Sequence, residues 1–71
     1  MNRAQALAAV KEKREQIKST FCSEQKISTK ERNQLRRDLF SCQGVIDDLD
    51  DGLPFSIKEG FLSTHSAKIK L

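Results

Sequence analysis

The sequence predicts an all-α fold: an antiparallel helical hairpin over about 3–22 and 29–50, with a short third helix near 57–64 packing on it. Three observations carry that prediction. Apolar side chains recur every three or four residues along both long segments. Ser28-Thr29-Lys30-Glu31 has the form of a helix-opening capping box. Gly52 and Pro54 are stop signals just past the second apolar stripe. The 71 residues make one small domain, 1–71, in which 65–71 is expected to be a frayed tail.

In the first helix Leu7, Val10, Ile17 and Phe21 form the stripe, with Ala4 and Ala8 nearby and Arg14 in its middle. Ala, Lys, Glu, Gln and Arg fill the remaining positions and all favour helix. Such a helix is roughly 30 Å long. Residues Ser23 to Ser28 interrupt the pattern. The second stripe, Leu35, Leu39, Cys42, Ile46 and Leu49, is spaced four, three, four and three, and Phe40 and Val45 widen it. A short connection folds the two helices back on each other. In that register Phe21 lies near Ile27 and Arg32, Leu7 near Cys42 and Ile46, and Arg14 beside Leu35. Arg14 either packs its stem and snorkels its guanidinium outward, or forms a buried pair that fixes register.

The third segment repeats the S-x-x-E pattern at Ser56-Ile57-Lys58-Glu59, which predicts a helix start at Ile57. Ile57, Phe61 and Ile69 would share a face, with Leu62 beside it. Gly60 costs such a helix about 1 kcal/mol relative to Ala, and Ser63-Thr64-His65-Ser66 weakens it further.

Charge is unevenly distributed. Residues 1–46 hold ten basic and five acidic side chains, a net +5, whereas 47–71 hold three and five, a net −2. That asymmetry can orient a partner, yet it is weaker than the dense basic stripe of a committed DNA binder. With four Phe and neither Trp nor Tyr, the chain has few rings for stacking single-stranded bases. Met1 leads into a mixed polar helix rather than a signal peptide, and no stretch reaches the roughly 18–20 apolar residues of a membrane span. The expected compartment is the cytoplasm, with both thiols reduced and no membrane partner.

Several chemistries fail on residue type or spacing. Asp47-Asp48-Leu49-Asp50-Asp51-Gly52 invites a calcium loop. Counting from Asp47, however, the third position is Leu49 and the twelfth is Lys58, where oxygen ligands are required. The cluster reads instead as a solvated acidic helix end opposing the helix dipole, relieved by Lys58, by Lys11 or Arg3 across the hairpin, or by a basic partner. Cys22, Cys42 and His65 lack the paired spacing of a zinc site. The hairpin also separates the two cysteines by roughly 20 Å, too far for a disulfide. No nucleophile motif or glycine-rich phosphate loop is present, so neither an enzyme nor a cofactor is expected.

What remains is binding. The second helix has more apolar width than a two-helix seam needs, and the C-terminal third adds further apolar residues. The leading expectation is a protein–protein interaction module: an adaptor, a chaperone-like subunit or a regulator. It would meet another protein, or itself as a homodimer, through Phe40, Val45, Leu53, Phe55, Phe61 and Leu62. The alternative is a small DNA-binding regulator using Lys30, Arg32, Asn33, Gln34, Arg36 and Arg37, residue types that read base edges and phosphates. Against it, the charges alternate with Glu12, Glu15, Glu31 and Asp38, and the interhelix segment exceeds a helix-turn-helix turn.

Overall fold

The computed structural model describes residues 1–23 and 26–71, apart from the side chain of residue 23; residues 24 and 25 of the expected connection lie outside the described residues. Two helices, α1 (Arg3–Ser23) and α2 (Thr29–Asp50), precede three short strands, β1 (Ser56–Lys58), β2 (Phe61–Ser63) and β3 (Lys68–Lys70). Both helix starts are capped. Ser28 Oγ accepts from the Glu31 N–H at 3.2 Å. At α1, Asn2 Oδ1 accepts from the Gln5 N–H at 2.8 Å while Gln5 Oε1 accepts from the Asn2 N–H at 2.9 Å. That reciprocal pair satisfies donors the first turn would otherwise leave orphaned.

α2 ends in a left-handed glycine cap. Gly52 has φ +80, and its N–H donates to Leu49 O while the Leu53 N–H donates to Asp48 O. This is the paired bonding of a Schellman motif. Arg3 completes the cap from α1. Its Nη1 donates to Leu49 O (3.2 Å) and Leu53 O (2.7 Å), and its Nη2 to Gly52 O (3.2 Å). One guanidinium thus ties the start of α1 to the end of α2 and sets a cation where the helix dipole is negative.

The expected hairpin is present, and Arg32 lies over the Phe21 ring at 5.9 Å from its centroid. Arg14 faces Gln43 rather than Leu35: its Nη1 donates to Gln43 Oε1 at 3.1 Å. The guanidinium sits at the hairpin's surface, as the snorkelling alternative requires.

The fold is not all-α. No helix forms at 57–64; that stretch belongs to a three-stranded antiparallel sheet in the order β1-β2-β3. The physical reason is the two-residue turn Glu59-Gly60 between paired Lys58 and Phe61. Both turn residues have positive φ, 54 and 80, which is the backbone of a type I′ hairpin turn. Gly60, a helix penalty, is what that turn needs. Lys68-Ile69-Lys70 alternates with period two, and its register sets Ile69 opposite Leu62. The segment 65–71 is therefore not a frayed tail: Ile69 is buried, and the Leu71 N–H donates to Gly60 O at 2.8 Å. Ile57, Leu62 and Ile69 form one cross-strand row. Phe61 takes the opposite face, not the face of Ile57 and Ile69.

The sheet packs against α2 through β3. At about 100° per residue, α2 presents three arcs. Leu35, Leu39, Cys42, Ile46 and Leu49 face α1. Ser41, Gly44, Val45 and Asp48 face the sheet. Arg36, Phe40 and Asp47 face neither, and Gln43 at the edge of that arc reaches Arg14 of α1. A Cβ at Gly44 would stand 3.5 Å from Ala67 Cβ and 3.6 Å from Ser66 Cβ, so the β2–β3 connection lies directly on the helix there. Ala6, Val10, Ile17, Cys42, Val45, Ile46 and Leu49 make the core with Leu62 and Ile69.

Candidate interaction surface

The six apolar residues expected to meet a partner do not form one surface. Val45 and Leu62 are fully buried in this chain's own core and cannot contact anything outside it. Leu53 lies just past α2, and the half-buried Phe55 ring sits under Arg3, 5.6 Å from the guanidinium. Phe61 is half-buried on the outer face of the sheet. Phe40 alone is prominent, 73% exposed.

Phe40 borders a groove of about 340 Å³ lined by Arg14 and Lys18 of α1 and by Arg36, Leu39, Phe40 and Gln43 of α2. It opens on the arc of α2 that faces neither α1 nor the sheet. Its floor is apolar and its rim cationic. Arg14 Nη1 is held by Gln43, whose Nε2 in turn donates to Asp47 Oδ1 at 2.9 Å. Arg14 Nε lies 3.7 Å from Glu15 Oε1, an exposed pair worth little in water. Groups that fit this groove carry an apolar edge and negative charge. A second hollow of about 410 Å³, lined by Thr20, Ile27, Glu31, Gln34 and Leu35, marks the connection end of the hairpin.

The structure also divides the expected nucleic-acid face. Lys30, Asn33, Gln34 and Arg37 share the arc that continues from the sheet-covered positions, and all four are exposed. Arg32 and Arg36 lie on a different arc: Arg32 covers Phe21, and Arg36 joins the groove's rim. Gln34 Nε2 is engaged with Asp38 Oδ1 at 3.1 Å.

The acidic run is not the solvated helix end that the sequence predicts, because one member is buried. Asp47, Asp50 and Asp51 are exposed, but Asp48 is buried and accepts three hydrogen bonds. Its Oδ2 takes Thr64 Oγ1 at 2.6 Å and the Ser66 N–H at 2.7 Å, and its Oδ1 takes Ser66 Oγ at 3.0 Å. Those bonds, that from Thr64 foremost, hold its carboxyl below the usual carboxylate range. Asp48 is the polar clamp that docks the β2–β3 connection on α2. The sequence signal was the run Thr64-His65-Ser66: hydroxyl residues offer donors to a carboxylate and favour turns.

Cys22 is exposed, Cys42 is buried, and both are free thiols. Burial, with a contribution from Asp38, pushes the Cys42 thiol up, which suits a packing residue rather than a nucleophile. Among the described residues no cluster of three or more His, Cys, Asp or Glu could hold a metal ion, and no helix is long and apolar enough to cross a membrane. No family model, curated protein or solved structure matches this chain.

Proposed function

We propose that this chain is a protein-interaction module whose groove between α1 and α2 takes an acidic amphipathic helix from a partner protein. One observation carries the reading: an exposed Phe40 beside an apolar floor ringed by Arg14, Lys18 and Arg36. An aromatic anchor with Arg neighbours is the composition of an interface hot spot. A helix laid along the groove would cover Leu39 and Phe40 with its apolar stripe and set carboxylates against the cations. The net +5 of residues 1–46 favours such a partner and opposes a second copy docking by the same face. The cytoplasm suits this reading, since both thiols stay reduced there.

The test is a panel of helical peptides sharing one apolar stripe and differing in charge, titrated into the labelled protein by NMR. Acidic peptides are expected to shift Leu39, Phe40 and Gln43 resonances, and lysine-bearing ones are not. Phe40→Ala should cost at least about 1–2 kcal/mol of binding. Absence of groove shifts with every peptide would sink the reading. If duplex DNA instead bound and Lys30→Ala with Arg37→Ala abolished that binding, the DNA-binding alternative would replace it.

A further inference from the structure

The outer face of the sheet is a second surface, independent of the groove. Strand register sets Lys58, Phe61 and Lys70 in one cross-strand row and Ser56, Ser63 and Lys68 in the next. Because Ile57, Leu62 and Ile69 occupy the opposite face, these six side chains share the outer one. The three lysines are exposed. They are also every cation in residues 47–71, a segment whose net charge is −2. The acids of that segment lie elsewhere. Asp47 faces away from the sheet on α2, Asp50 and Asp51 end that helix, and Asp48 is occupied by Thr64 and Ser66. Glu59, in the turn, is the carboxylate nearest the face in sequence.

We propose that this face binds single-stranded nucleic acid, with Phe61 stacking one base and the lysines meeting the backbone on either side. Charge favours a polyanion, and the ring favours one that carries flat groups. Lys68 Nζ lies 4.8 Å from the Phe61 centroid in the free protein. Base–aromatic stacking is the stronger contact, so a base displaces that ammonium toward a phosphate. One ring limits the surface to a single stacked base, which makes binding modest and tolerant of sequence. Hydroxyls of Ser56 and Ser63 extend the polar row for sugar or phosphate contacts. A duplex keeps its bases stacked and offers this face charge alone.

The experiment uses the whole protein and a fluorescein-labelled oligothymidylate of about twelve nucleotides, followed by anisotropy at several salt concentrations. Three phosphate contacts predict a log–log salt slope of roughly −2, and Lys68→Ala or Lys70→Ala should each flatten it by about 0.7. Phe61→Leu keeps apolar volume on the sheet and removes the stacking face, so affinity should fall about tenfold while far-UV circular dichroism is unchanged. Phe40→Ala, in the groove, should leave binding intact, which separates this surface from the proposed protein partner. Equal affinity for the matching duplex, for polyphosphate or for polyglutamate would overturn the proposal. So would wild-type affinity in a folded Phe61→Leu protein, or no binding at low salt.

Discussion

The hairpin has two halves that carry the same apolar spacing and end up in different environments. In the half formed by the start of α1 and the end of α2, Val10, Val45 and Leu49 are essentially dry, because the sheet closes over the helices. In the half toward the connection Ile17 is buried, but Leu35 and Leu39 are only half-buried and Phe40 is largely in solvent. A heptad stripe decides which side of a helix faces its neighbour. How far that side is desolvated depends on the third layer. On α2 the sheet-facing arc changes chemistry where the cover begins, from Lys30, Asn33, Gln34 and Arg37 to Ser41, Gly44, Val45 and Asp48. Small residues admit the β2–β3 connection, and Asp48 clamps it.

Breaking the contrast is simplest by cavity. Leu49→Ala should cost about 2–5 kcal/mol, whereas Leu39→Ala, already half in water, should cost less than about 1.5 kcal/mol. Urea denaturation of both variants checks this, and equal losses would erase the distinction between the halves. Asp48→Asn is expected to destabilise next most, since an amide cannot accept all the bonds from Thr64 and Ser66 that the carboxylate does. Undocking of the sheet should appear as a lower urea m-value. The same clamp makes the covered half acid-sensitive. The folded carboxyl titrates below its unfolded counterpart, so its contribution is fully present above about pH 4. It is lost as pH falls through the folded value. Stability measured against pH should lose that acid limb in Asp48→Asn.

Smaller changes sharpen the picture. Gly44→Ala should stabilise by up to about 1 kcal/mol, because its Cβ meets Ala67 and Ser66 at ordinary contact distance. A leucine there would lift the connection off α2 and lower the melting temperature instead. Glu59→Asn should add a few tenths of a kcal/mol, Asn being better suited than Glu to positive φ before Gly60. Phe40→Ser should change thermal stability by no more than about 0.5 kcal/mol, as an exposed groove residue allows.

Both helices were legible because their signals are local and redundant: a 3–4 apolar period, a capping Ser28 and a stop at Gly52. The capping pair Asn2-x-x-Gln5 is an equally local signal. The sheet was not legible by the same reasoning, because S-x-x-E at Ser56 to Glu59 satisfies a helix rule while Glu59-Gly60 satisfies a hairpin rule. Three-residue strands give too few alternations to decide between them. The pairing of Leu62 with Ile69 and the docking of Thr64 and Ser66 on Asp48 of α2 decide it. The groove was half visible: Phe40 and Arg36 stood out, but only the hairpin register brings Arg14 and Lys18 beside them. Val45 and Leu62 look available in the sequence because the layer that buries them is a sheet and not the helix its S-x-x-E pattern predicts.

Residue-resolved native-state hydrogen exchange tests the two-halves account most directly. Amides from Cys42 to Leu49, together with those of Leu62 and Ile69, should exchange only through global unfolding, while those from Leu35 to Phe40 should open locally at lower cost. Uniform protection along α2, or Ile69 exchanging as fast as an unstructured tail, would contradict it.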